Sequence, residues 1–140
     1  MVQKVTKQFT ENPHRVQEVM EEIDAIAKSC LELLTSGCDI MSDKTLFAKW
    51  GHLLERNQHL LAHGLGISHT KLDSVCKIAR KYGLYAKLTG AGGGGYAFLI
   101  LPQILPTNVL ENIKTELVKM NCDACETTLG GSGGVKINIL

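Results

Sequence analysis

Charge imbalance is almost missing from this sequence. Its 15 Lys and Arg against 14 Asp and Glu leave a formal charge of +1, which gives no electrostatic case for a nucleic acid or an anionic membrane as partner. No apolar run approaches the roughly 20 residues needed to span a bilayer. Met1-Val2-Gln3-Lys4 does not supply the hydrophobic core of a signal peptide. The five cysteines, at 30, 38, 76, 122 and 125, are odd in number and lack the spacing of a disulfide framework, which favours a reducing compartment. Cys122 and Cys125 form a lone Cys-x-x-Cys, with no second pair for zinc and no strand–helix setting for redox chemistry. One domain is expected from 140 residues, and a chain of about 150 buries roughly 68–70% of its unfolded surface, enough for a real core.

What is present begins with helices. Val2, Val5 and Phe9 can share one helical face. Asn12-Pro13 reads as an N-cap followed by proline at the first helical position. From there Val16, Met20, Ile23, Ala27, Cys30 and Leu34 recur by four and three, widened by Val19, Ile26 and Leu33, and predict a long amphipathic helix that ends at Gly37. Its acidic residues Glu18, Glu21 and Glu22 sit in the first half, where they suit the helix dipole; a solvated face explains them without catalysis. Ser42-Asp43 opens a second helix to about His63, with Leu46, Trp50, Leu53 and Leu60 inward. Asn57 falls in register on that stripe. A buried asparagine must hydrogen-bond, so it either ties to local backbone or faces a polar cleft. His52, Glu55, His59 and His63 share a row that can ligate a divalent metal, yet it lacks the His-Glu-x-x-His pattern and reads equally as exposed histidines late in a helix; no metal site is assigned. A third helix follows Ser68 or Thr70 as its cap, Thr70-x-x-Asp73 resembling a capping box. It carries Leu72, Val75, Cys76, Ala79 and Tyr82 and stops at Gly83.

Strands come next. Leu84, Ala86 and Leu88 alternate with Tyr85, Lys87 and Thr89. Tyr96 to Leu101 is apolar on both parities, which predicts a central strand buried on both sides. Between them lies a glycine loop, with four consecutive glycines at 92–95. Glycine loses much entropy on ordering, so such a run suits a place where backbone bends sharply or a ligand comes close. Its successive N–H groups can form an anion-binding nest; a plain hairpin connection is the alternative. Thr107 caps a further helix with Leu110, Ile113, Leu117 and Met120 inward. Asp123 to Leu129 reads as a third strand, Gly130-Gly131-Ser132-Gly133-Gly134 as a flexible turn, and Val135, Ile137 and Ile139 as a fourth strand. The expected fold is α+β: an antiparallel four-stranded sheet covered by helices, a ferredoxin-like sandwich.

Lys87-Leu88-Thr89-Gly90-Ala91-Gly92-Gly93-Gly94-Gly95 between two apolar runs resembles the third signature motif of the GHMP small-molecule kinases. It is no Walker loop, since no Gly-Lys-Ser or Gly-Lys-Thr follows. The likeness to the family's mevalonate kinase branch extends over essentially the whole chain. Asn57-Gln58 matches an Asn-Gln pair, Leu65-Gly66-Ile67-Ser68-His69 then Leu72-Asp73 matches a Leu-Gly-x-x-His turn before Leu-Asp, and Tyr82-Gly83-Leu84 leads into the glycine motif. Tyr96 departs from the cysteine that relatives often carry, which puts the local loop shape in question. Gly64-Leu65-Gly66-Ile67-Ser68 superficially imitates the family's main phosphate loop but lacks its leading proline and the small residues after it.

The resemblance implies that residues 1–140 form the C-terminal domain of such a kinase, with the N-terminal ATP-binding and catalytic domain absent from this chain. The implied reaction moves the ATP γ-phosphoryl group to the primary alcohol of mevalonate, in isoprenoid biosynthesis. Mg2+ would arrive with ATP. Thr89 would offer a hydroxyl to substrate, Gly90, Ala91, Gly92, Gly93 and Gly94 would lie against phosphate or substrate, and Asn57 would face the cleft. No catalytic residue and no metal ligand is implied here, so this chain alone is expected to be inactive. The implied partners are mevalonate, ATP, the N-terminal domain and a second copy as homodimer; the implied setting is cytoplasmic or peroxisomal. Two other readings fit the same residues: a stand-alone ligand-binding domain, and an interaction module built on the first long helix.

Overall fold

The long helix sets the frame. In a computed structural model that describes residues 2–90 and 94–127, α1 (Val2–Glu11) leads directly into α2 (Pro13–Thr35). Proline opens α2 as expected, but the Asn12 side chain makes no capping bond. Its backbone N–H is already held by Gln8 O at 2.8 Å, so the two helices meet almost without a break. On α2, Val16, Ile26 and Leu33 are buried, whereas Met20 and Leu34, predicted inward, are exposed. The apolar stripe is wider than the neighbours that cover it.

Helix α3 (Lys44–His59) starts at Asp43, whose side chain accepts from the N–H groups of Thr45 and Leu46 at 2.8 and 3.0 Å. Phe47, Trp50, Leu54 and Gln58 turn inward. The helix continues as a π-helical turn, Leu60–Gly64. Helix α4 (Thr70–Lys81) is capped by neither predicted residue: the His69 ring accepts from Lys71 N–H at 3.2 Å. Ser68 is drawn away because its hydroxyl donates to Asp73 Oδ1 at 2.6 Å. Gly83, at φ +70°, ends the helix in a conformation that glycine adopts without steric cost. Helix α5 (Thr107–Lys119) begins after Pro106 rather than on a Thr107 cap. Lys81 and the Tyr82 hydroxyl both donate to Glu116, tying α4 to α5.

Two strands are found among the described residues. β1 (Tyr85–Thr89) and β2 (Tyr96–Ile100) pair antiparallel, Tyr85 opposite Ile100 and Thr89 opposite Tyr96. The expected third strand is not formed over residues 123–127. After α5 the chain turns at Asn121, φ +54°, sends Cys122 N–H back to Leu117 O, and is held along the helix by a Lys114–Glu126 ion pair at 2.8 Å. The rest of that segment, the glycine-rich turn at 130–134 and the fourth strand lie outside the described residues. Nor is β2 buried on both sides: Tyr96 is exposed, Ala97, Phe98 and Leu99 are half-buried, and only Ile100 is fully covered. Among the described residues β1 alone pairs with it.

The core lies where α3 and α4 cover β1, and includes Trp50, Leu54, Ala79, Leu84, Ala86 and Ile113. Gly51 permits the closest crossing. A Cβ there would overlap the Tyr85 ring, which also packs on Phe47 with ring centres 5.8 Å apart. The architecture is therefore α+β, with β1 gripped by helices and the glycine loop leaving its far end.

Candidate functional site

β1 delivers the signature motif, so the way β1 is held decides the site's geometry. Backbone groups of an antiparallel strand point alternately toward and away from the partner. Leu88 N–H finds its acceptor in a side chain: Gln58 Oε1, 2.9 Å away and buried. Gln58 Nε2 in turn donates to Ser68 Oγ at 3.3 Å, and the Ser68 hydroxyl donates a hydrogen bond to Asp73 Oδ1 at 2.6 Å. The Cys76 thiol donates to Ala86 O at 3.5 Å. Burial pushes that thiol up to about 11, helped by the nearby Asp73 carboxylate and opposed by Arg80. Side chains from α3 and α4 thus satisfy β1 at two successive outward positions, immediately before Thr89.

A cavity of about 460 Å³ opens between α2, α3 and the end of β1. Its walls are mostly hydrocarbon, from Ile23, Ile26, Leu54, Leu61 and Phe98 among others. Asn57, Lys87, Thr89 and Gly90 also line it. Asn57 is half-buried, and its carboxamide makes no hydrogen bond to any described residue. Thr89 and Gly90 are exposed, Gly90 at φ +80°, and Gly94 is half-buried at φ +128°. These backbone angles demand glycine at both described ends of the loop. Ala91, Gly92 and Gly93 fall outside the described residues.

Lys87 escapes the sequence argument, which names it only in the strand alternation and as the first residue of the glycine motif. It shares the strand face of Thr89, is half-buried, and donates to Leu88 O at 3.2 Å. Burial lowers its pKa, with Cys76 the opposing influence. Gln58 escapes as well, although it belongs to the Asn-Gln pair; the four-residue step from Trp50 through Leu54 is the signal that would have found it.

The histidine row meets a smaller polar pocket of about 170 Å³ between α3 and α4. Glu55 is engaged there by Arg80 at 2.8 Å and His52 at 3.5 Å, while the His59 and His63 rings lie 4.6 Å apart. Among the described residues no three His, Cys, Asp or Glu side chains are grouped to hold a metal ion.

Residues 42–119 match the family model described as GHMP kinases C terminal. The chain belongs to the GHMP kinase family. All of it aligns with mevalonate kinase of Dictyostelium discoideum, 31% identical over 140 residues that make up 36% of that relative. Human mevalonate kinase is 32% identical over 95% of this chain and 33% of its own length. The enzyme of Schizosaccharomyces pombe is 34% identical over 95% of the chain and 32% of its own length. Among solved structures, L. major mevalonate kinase in complex with R-mevalonate is similar at a TM-score of 0.65 and 25% identity, covering 86% of this chain and 33% of that one. This GHMP kinase chain therefore spans about a third of the length of the relatives it matches.

Proposed function

We propose that this chain serves as the C-terminal domain of a mevalonate kinase, joined in the working enzyme by an N-terminal domain that holds ATP and the reacting groups. Alignment of the entire chain with mevalonate kinase carries the reading. In this reading the enzyme transfers the ATP γ-phosphoryl group to the primary alcohol of mevalonate, in the cytoplasm or peroxisome, and the complete domain has a four-stranded antiparallel sheet. Phosphoryl transfer is mostly positioning and charge stabilisation. The Thr89 hydroxyl, free of other described partners, would hydrogen-bond the substrate. Gly90, Ala91, Gly92, Gly93 and Gly94 would let backbone N–H groups approach phosphate without side-chain hindrance, and Asn57 would meet substrate at the cavity wall. The described residues do not fit a magnesium centre, because no acidic cluster faces the cavity; Mg2+ would be held with the nucleotide elsewhere in the enzyme. The exposed apolar side chains of α2, Met20, Leu31 and Leu34, favour a homodimer contact.

Mevalonate-dependent ADP release tests the proposal. The 140-residue chain alone should give none, and mixing it with the N-terminal domain of a relative should restore it. Turnover by the chain alone, after controls for contaminating kinase, would overturn the placement of the catalytic groups outside it.

A further inference from the structure

The cavity beside the glycine loop is lined, among the described residues, by one charged side chain, Lys87, that the proposed function leaves without a role. Lys87 is a half-buried cation at an apolar wall, and no carboxylate among the described residues pairs with it. Asn57 and Thr89 line the same cavity, and neither side chain hydrogen-bonds to a described residue. A desolvated charge is costly unless it is paired or hydrogen-bonded. Here one carbonyl, Leu88 O, occupies one of three ammonium donors. An apolar pocket with a few convergent polar groups is the common form of a small-molecule site.

We propose that Lys87, flanked by Asn57 and Thr89, holds the carboxylate of a short branched hydroxy acid in this cavity. The charge count selects a carboxylate over a phosphate. A single lysine balances a monoanion, whereas a phosphoryl dianion would bring a second charge against hydrocarbon walls with no second cation lining them among the described residues. Ile23, Ile26, Leu54 and Phe98 supply surface for a branched alkyl chain, and the neutral carboxamide and hydroxyl suit a ligand hydroxyl. The inference rests on the kinase reading only for the identity of the acid, which there is mevalonate: Lys87 would take its acid end and leave the alcohol free to face the glycine loop.

The probe is 3-hydroxy-3-methylbutanoate, which has the acid, the branch and the tertiary hydroxyl but no primary alcohol to phosphorylate. Titrated into the isotope-labelled 140-residue chain, it should give saturable amide shifts at Asn57, Lys87 and Thr89 in the millimolar range. The neutral diol 3-methylbutane-1,3-diol should bind at least tenfold more weakly. Lys87→Met should lose binding at least tenfold and Lys87→Arg should retain it, each with an otherwise undisturbed spectrum. Should Lys87→Met fail to fold, the comparison of acid with diol on the parent chain and on Lys87→Arg decides the matter. Absence of saturable shifts, equal binding of the diol, unchanged binding in a folded Lys87→Met, or tighter occupation of the same residues by inorganic phosphate would overturn the proposal. Lysine-dependent acid binding without phosphoryl transfer in the assembled enzyme would uphold this site and overturn the kinase reading alone.

Discussion

Replacing Gln58 by leucine is the sharpest test of how β1 is held. The carboxamide is 7% exposed and accepts from Leu88 N–H at 2.9 Å. Leucine is of similar size, so the cavity left behind is small, and the main loss is the hydrogen bond. Leu88 N–H would remain buried without an acceptor, at a cost of about 1–3 kcal/mol. Ser68 keeps its bond to Asp73, so the other end of the network contributes little to the change. For a chain of this size about 1 kcal/mol moves the melting temperature by roughly 4 °C, which places the expected drop at roughly 4–12 °C. Thermal unfolding reads the total, and amide exchange at Leu88 reads the local part; that amide should exchange faster than its β1 neighbours. Gln58→Glu adds a check of sign. Its carboxylate can accept from Leu88 N–H but cannot donate to Ser68, whose one proton already serves Asp73. Burial and the nearby Asp73 raise the introduced carboxyl's folded pKa above its unfolded value. Stability is then intact below the ordinary glutamate range and lost as pH rises through the raised value. A Gln58→Leu variant with unchanged melting temperature and unchanged Leu88 exchange would refute the reasoning.

Three further outcomes follow from packing, capping and burial. Gly51→Ala gains helix propensity but drives a methyl into the Tyr85 ring, and overpacking of this kind should cost about 1–3 kcal/mol in urea unfolding. Asp43→Ala removes the acceptor for two N–H groups at the start of α3 and should cost about 1 kcal/mol, whereas Asp43→Ser should recover most of it. The Cys76 thiol, raised from 9.0 to about 11 by burial, should resist iodoacetamide at pH 8.5 while exposed Cys38 and Cys125 are labelled, as mass spectrometry would show. Its contribution to stability is complete below pH 9 and is lost as pH climbs toward 11, because the unfolded thiol ionises first.

Periodicity located the helices well because each carries a repeating apolar face and a local boundary signal, a start at Pro13 and Asp43 and a stop at Gly83. Exact caps were less legible. Ser68 and Thr70 are both good N-cap residues, but Ser68 is claimed by Asp73 in the first turn of α4 and by Gln58 of α3, and only the folded chain reveals that competition. The strand pair was readable from alternation and the glycine break. Residues 123–127 looked strand-like from composition, yet a long-range ion pair, Lys114 to Glu126, holds them beside α5. At the site, the glycine motif named Thr89 and Gly90 directly. Gln58 was hidden because a polar residue on an apolar stripe has several explanations, and its true partner is a backbone N–H thirty residues away. Lys87 was hidden for a related reason: alternation gives the face of a strand residue but not what covers that face.

In the proposed reading this chain is the C-terminal third of a mevalonate kinase and brings the Thr89–Gly90 corner to substrate. Replacing the matching C-terminal third of human mevalonate kinase with these 140 residues tests it most directly, with mevalonate-dependent phosphoryl transfer as the readout. The chimera should phosphorylate mevalonate, and Gly90→Val, which cannot comfortably adopt φ +80°, should abolish most of that activity while ATP binding persists. A folded, ATP-binding chimera that transfers no phosphoryl group to mevalonate would contradict the account.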